Sequence, residues 1–446
     1  MAIALFSDIK QARATILRRV PLDEVGVPAH VQEGIALRFG ETLTPAQAVD
    51  RIVKDVRLRG DTALQEWTER LDGRQMTQFE IAQSRRQEAL ATLDETLLQA
   101  LRVASSELEA FHRRQVRNSW VDFNVEGARG QMVVPLQRVG VYVPGGAAPL
   151  PSSLLHAAIP ALVAGVDEII VCSPPQHDSD EPAAAVLAAA EIAGVSRVFA
   201  LGGAQAIAAM AYGTESVPQV DKIVGPGNLF VVLAKRAVFG SVDIESLPGP
   251  TETLVIADEH ANPRYVAADL LAQAEHVLSS AILLTSSPTL AAAVQGEVTR
   301  QLADLPHENA AAAAEAVEQR GGIVLVPDMD TAITLANEYA PEHLCLLVEK
   351  PWEYVGRIRN AGGIFLGEDS FEVLGDYTAG PSHIMPTGGT ARYASPVNVD
   401  DFRKVISLVG LNRTALERIG PAAMQVAEAE GLAAHAAAVR LRLNKS

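Results

Sequence analysis

The feature that most constrains this chain is a rhythm, repeated twice, of short β-rich runs ending in glycine or proline that alternate with Ala-rich helical stretches. The first series reads RVGVYVPGG, SSLLHAAIPALVAG, EIIVCSPP, AAAVLAAAEIAG and RVFALGG. The second opens at TLVIAD and continues through a helix near Asp269, AILLTSS, a helix near Thr289, GGIVLVPD, a helix near Ala332, HLCLLV and GGIFLG. Strands separated by whole helices cannot pair as hairpins, so they call for βαβ crossovers and parallel sheets. The expected fold is α/β, with two Rossmann-like parallel-sheet domains. Upstream, residues 44–117 read as amphipathic helices with charged outer faces, and from about Asp400 the pattern returns to helices. His112, flanked by Arg113 and Arg114, reads as a solvated helix residue rather than a ligand.

A chain of 446 residues exceeds the size at which one core stops growing, and 48% hydrophobic with 20% charged residues can fill more than one core. The net charge of −17 argues against nucleic acid or an anionic membrane as partner. Cys172 and Cys345 each sit inside an apolar run, which points to buried strand residues and not to a disulfide framework. The N-terminus MAIALFSDIKQARATILRR lacks the long apolar stretch of a signal peptide, and no apolar run reaches membrane-spanning length. The expected compartment is the cytoplasm.

Glycine closes the βα junctions of the first series at Gly145-Gly146, at Gly202-Gly203 followed by Gln205, and at Gly225-Pro226-Gly227-Asn228. Such turns let backbone N–H groups approach a phosphate at a helix N-terminus. The G-x-G-x-x-G fingerprint is absent, so these residues alone leave a dinucleotide site open against a purely structural use of glycine. In NPRYVAADLLAQAEHVL, Asn262 is the expected N-cap and Pro263 the first helical residue. Gln273 and His276, three apart, share a face, while Glu275 points to solvent. YAPEHLCLLV sets Glu342 beside His343 before a strand, a carboxylate and an imidazole suited to acid–base work but diverging if both were on the strand. The loop GDYTAGPSHIMPTGG carries Asp376 and His383, and the last helical segment carries Glu430 and His435. Imidazole, carboxylate and amide oxygen together suit zinc with an open position, although each residue alone has a structural alternative.

These residues together resemble the histidinol dehydrogenase family. GGAQAIAAMAYGTESVPQVDKIVGPGN, GPTETLVIADE, DLLAQAEH, YAPEHL, GDYTAGPSHIMPTGGTAR and the closing Glu430 and His435 follow the family's order and spacing from about Val139 onward. The resemblance implies zinc, one per subunit, held by Gln273, His276, Asp376 and His435, with Glu342 and His343 as the acid–base residues. It also implies substrate contacts from Thr251, His383 and Glu430 as well as from the zinc and acid–base residues, with Thr251 standing where the family often has Ser. Tyr142, Gln205 and Asn228 match its NAD-contacting positions. The implied plan is a helical N-terminal arm (1–25), a larger α/β domain in two segments (26–140 and 251–397), an inserted NAD-contacting domain (141–250) and a helical C-terminal arm (398–446). The implied assembly is a homodimer in which that arm completes the partner's site. Rival readings are a related zinc and NAD dehydrogenase for another small polyol, a zinc hydrolase, and a silent protein that kept the fold.

Overall fold

The computed structural model describes residues 3–19, 29–145, 149–276 and 278–444. Gly146 of the expected Gly145-Gly146 turn, and the stretch 20–28 across the expected end of the N-terminal arm, lie outside them. The first sheet is wholly parallel, in the order Leu5–Phe6, Gly322–Leu325, Ser280–Thr285, Glu252–Ala257, His343–Leu347, Gly363–Leu366. Its central strands are buried on both faces, which is why TLVIA and HLCLL read as continuous apolar runs rather than alternating ones. The second sheet runs Glu80–Ile81, Arg197–Ala200, Glu168–Ser173, Arg138–Tyr142, Lys222–Val224, Asp243–Ile244, parallel except for the antiparallel edge strand Glu80–Ile81. The two βαβ series are therefore two parallel sheets, as the sequence rhythm requires. Cys172 and Cys345 are both buried strand residues. No helix among the described residues is long and apolar enough to cross a membrane.

Three expectations are corrected. The sequence reading grouped residues 26–140 with 251–397, yet the helices Pro45–Arg59, Asp61–Asp72, Gln83–Thr92 and Glu95–His112 pack on the second sheet. Val49, Ile52, Val56 and Leu64 share one core with Ile170, Val198 and Ile223. An amphipathic stripe records that a face is buried, not which sheet buries it. His112 is likewise buried, because it lies on that inward stripe, and its Nδ1 meets Gln115 Oε1 at 2.8 Å. Finally, the arms are not purely helical. Leu5–Phe6 is an edge strand, and Arg403–Leu411 pairs antiparallel with Gly127–Pro135, which pairs in turn with Trp120–Asn124. RKVISLVGL is rich in β-branched residues, and its partner strand is too far away in sequence to be read locally. The helices Arg413–Ala429 and Ala433–Leu443 follow.

Candidate active site

Polar side chains gather at the amino ends of the central strands of the first sheet. Thr251 stands just before Glu252–Ala257, and His343 opens the next strand, opposite Thr253 in the parallel register. Helix Pro263–Ala274 starts as the sequence indicates, with Pro263 first and Asn262 accepting from the Arg264 N–H, and its far end returns Gln273 to this same edge. Glu342 lies in a bend after Ala340, which has a left-handed φ of 52°. Because that bend precedes the strand, Glu342 does not diverge from His343: Oε2 comes within 3.6 Å of Nδ1.

The groups are tied in sequence. The Gln273 amide nitrogen donates to Thr251 Oγ1, and Thr251 donates to Glu342 Oε2 at 2.5 Å. The Glu252 N–H reaches the same oxygen at 3.0 Å. His343 Nδ1 lies 3.1 Å from the Glu252 carbonyl, which can only accept, so Nδ1 carries a proton and Nε2 faces Asp376 Oδ1 at 3.2 Å. Burial pushes the Glu342 carboxyl up to about 7, against the opposing pull of His343 and Thr251. Burial works downward on His343, but Glu342, Asp376 and Glu372 together carry it up to about 10. For Asp376, burial is outweighed by His343, His383 and His276, so its carboxyl is held below the usual range.

His383 Nδ1 donates to the Asp376 carbonyl at 2.7 Å, which leaves Nε2 to accept from Ser153 Oγ at 3.1 Å. Its ring stacks on His156 with centroids 4.0 Å apart. Ser153 and His156 belong to helix Pro151–Ala164, packed on the second sheet, so the site joins both sheets. Sequence reasoning missed these two, and nothing local in SSLLHAAIP marks them. It also missed Glu372, one helical turn before Asp376 in Glu372–Tyr377, where the i, i+4 spacing was a usable signal. Glu372 Oε2 accepts from Thr253 Oγ1 at 2.6 Å and from the Cys345 thiol at 3.6 Å. Cys345 is fully buried and its thiol is pushed well up, the opposite of an activated nucleophile.

Thr251, Gln273, Glu342, His343, Asp376 and His383 are thus brought together. His276 is exposed just beyond the helix end, near enough to Asp376 and His383 for its charge to act on both. Glu275 is exposed too, as expected, and accepts from Asn309 at 2.9 Å. Glu430 and His435 are exposed on the C-terminal helices, and no hydrogen bond among the described residues ties them to this cluster. Among the described residues no three His, Cys, Asp or Glu side chains converge to hold a metal. His276 and Asp376 supply two donors of the right chemistry, and the Gln273 amide oxygen, which accepts no hydrogen bond among the described residues, supplies a third. That set fits zinc with one more donor still to come.

The expected cofactor positions lie elsewhere, at the carboxyl ends of the second sheet's strands. The Tyr142 hydroxyl accepts from the Gly203 N–H at 3.1 Å and is pushed up to about 12 by burial. Gln205 is buried, donates to Asp72 at 3.3 Å and leaves Oε1 without a partner. Asn228 caps helix Leu229–Val238 by accepting from the Phe230 and Val231 N–H groups. A cleft of about 360 Å³ is lined by Gly203, Gln205, Asn228, Arg38 and Asp72 among others. An orphaned buried acceptor beside glycine turns and a cleft of ligand size fit a dinucleotide. Gly225 has a φ of 122°, and a Cβ there would lie 2.0 Å from the Tyr142 carbonyl oxygen. Gly225→Ala is expected to destabilise the protein by about 1–3 kcal/mol, read as a lower urea midpoint. An unchanged midpoint would show that the turn relaxes freely.

Comparison with known proteins accords with this geometry. A family profile described as histidinol dehydrogenase matches residues 41–443. The histidinol dehydrogenase of Deinococcus radiodurans is 55% identical over 97% of this chain and 98% of its own length. That of Thermus thermophilus is 50% identical over 90% of this chain and 95% of its own. The crystal structure of histidinol dehydrogenase from Elizabethkingia anophelis superposes with a TM-score of 0.89 at 34% identity, covering 99% of this chain and 98% of that one. The chain belongs to the histidinol dehydrogenase family and is an oxidoreductase.

Proposed function

We propose that this enzyme oxidises L-histidinol to L-histidine, the last step of histidine biosynthesis, using one zinc ion per subunit and two molecules of NAD in turn. The observation that carries the reading is the convergence of Thr251, Gln273, Glu342, His343, Asp376 and His383 on one edge of a sheet, beside a second sheet whose glycine turns suit a dinucleotide. Alcohol to acid is a four-electron change: one water is consumed, two hydrides leave, and L-histidinaldehyde must stay bound between them.

Zinc, held by Gln273, His276 and Asp376 with His435 as fourth ligand, would supply a positive charge that grips substrate nitrogens through both oxidations. NAD, held near Tyr142, Gln205 and Asn228, would accept each hydride in its turn. His343 takes the alcohol proton on Nε2, since Nδ1 is committed to the Glu252 carbonyl. It can do so only when the Glu342 and Asp376 charges that favour its cationic form are offset, as a bound cation at Asp376 would help to do. Glu342, raised to about 7, is poised to take a proton from the water that hydrates the aldehyde. Thr251 and the Glu252 N–H hold its carboxylate in place. His383 and Glu430 contact the substrate in this reading.

The assembly proposed is a homodimer whose C-terminal arm brings Glu430 and His435 to the partner's site. Phe123, Val405 and Val409 on the three-stranded sheet, and Val426 and Leu441 on the helices after it, are large apolar side chains left in solvent by a single chain. A second copy covering them explains their exposure. Two free, buried thiols accord with a reducing compartment, and we place the enzyme in the cytoplasm. The direct test is NADH absorbance per histidinol consumed. About two equivalents are expected, with loss of turnover on chelation and recovery with zinc. One equivalent, or none, would overturn the reading.

A further inference from the structure

We propose that the buried ion pair Lys235–Glu245 is a positioning device that holds the turn Gly225-Pro226-Gly227-Asn228 in the shape that receives the dinucleotide. The inference rests on the reading that NAD binds at this turn. Lys235 is 0% and Glu245 3% exposed, and Nζ lies 2.6 Å from Oε1. Both engage one residue's backbone: Lys235 Nζ donates to the Gly225 carbonyl at 2.7 Å, and the Gly225 N–H donates to Glu245 Oε1 at 2.9 Å. The pair thereby takes up both backbone polar groups of the residue at the start of the turn, one from each of the two peptides that flank its Cα.

The chain geometry makes this a clamp. Lys235 lies on helix Leu229–Val238, which Asn228 caps, and so reaches back from the helix to the turn that launches it. Glu245 follows the edge strand Asp243–Ile244 and approaches from the other side. Gly225 is packed against the Tyr142 backbone so tightly that a Cβ would collide with it. A shift of this peptide therefore moves Tyr142 and Asn228 together. Asn228 Oδ1 is committed to capping, which fixes its rotamer, while its amide N–H₂ donates to no described group.

The mutual attraction of the two charges is a weak source of stability. Glu245 Oε2 is buried without a hydrogen-bond partner, and buried ion pairs are often replaced by apolar residues of similar volume without loss. The experiment follows from that contrast. In the full-length, zinc-loaded enzyme, K235M/E245L is compared with the unsubstituted protein by thermal melting, by calorimetric titration with NAD, and by KM for histidinol. The KM for histidinol is expected to stay close to the parent's, while the melting temperature falls modestly because the Gly225 N–H and C=O lose their partners. NAD affinity is expected to fall about tenfold to a hundredfold, as for other misplaced binding groups. Should the double variant not fold, Lys235→Met alone is read the same way, because the Glu245 side chain remains to accept from the Gly225 N–H. NAD affinity equal to the parent's in a folded variant overturns the positioning role while leaving the NAD reading intact. An unsubstituted enzyme that does not bind NAD overturns both.

Discussion

Glu342→Gln is expected to slow oxidation of L-histidinaldehyde by about 100- to 10,000-fold, the range typical for loss of a positioned general base. The substitution is nearly isosteric, and an amide oxygen can still accept from the Thr251 hydroxyl and the Glu252 N–H, so the local network should persist. What disappears is basicity: a carboxyl raised to about 7 by burial becomes a group that takes no proton in this range. In the proposed mechanism the first half-reaction, alcohol to aldehyde, depends on His343, so it should suffer far less. Rapid mixing with histidinol should therefore give a first hydride transfer at nearly the parent's rate, followed by a stall. Histidinaldehyde supplied directly should be oxidised at the same slow rate. If the variant oxidises the aldehyde unimpaired, Glu342 does not activate water and the role must pass to another group.

How much of this was legible in the residues depends on range. The two sheets were readable because each buried parallel strand announces itself as an apolar run between glycine or proline, and helix Pro263–Ala274 because its cap and first proline are adjacent in sequence. The pairing of Arg403–Leu411 with Gly127–Pro135 was not, since strand partners far apart in the chain leave no local trace. The same limit governs the site. Glu342 and His343 could be proposed from one pentapeptide, and the bend that turns them together is a property of the backbone at Ala340 that no periodicity reports. Ser153 and His156 come to His383 from more than 200 residues away across two sheets, so only the folded chain reveals them. Gln273 and His276 were paired by their spacing on one helix face, but joining Asp376 to them came from likeness to a family.

His435 is where that likeness reaches furthest beyond a single chain, and it yields the other large effect. His435→Asn should lose most of its zinc and nearly all activity if this imidazole is the fourth ligand, since removing one ligand from a four-coordinate site removes a quarter of its bonds and its geometry. Activity loss alone would not say which chain supplies the ligand. Co-expression with Glu342→Gln does. In a mixed dimer, if His435 crosses over, the His435→Asn chain keeps its own Glu342 and receives an intact His435 from its partner, so one site is whole. Random pairing then returns about one quarter of the parent's activity from two inactive proteins. If His435 acts within its own chain, every site carries one defect and no activity returns. The placement of His435 on the exposed helix Ala433–Leu443, apart from the cluster around Asp376, favours the first outcome. Zinc content gives an independent reading, because Glu342→Gln should remain loaded while His435→Asn should not. Full zinc occupancy in His435→Asn would remove this residue from the metal site altogether.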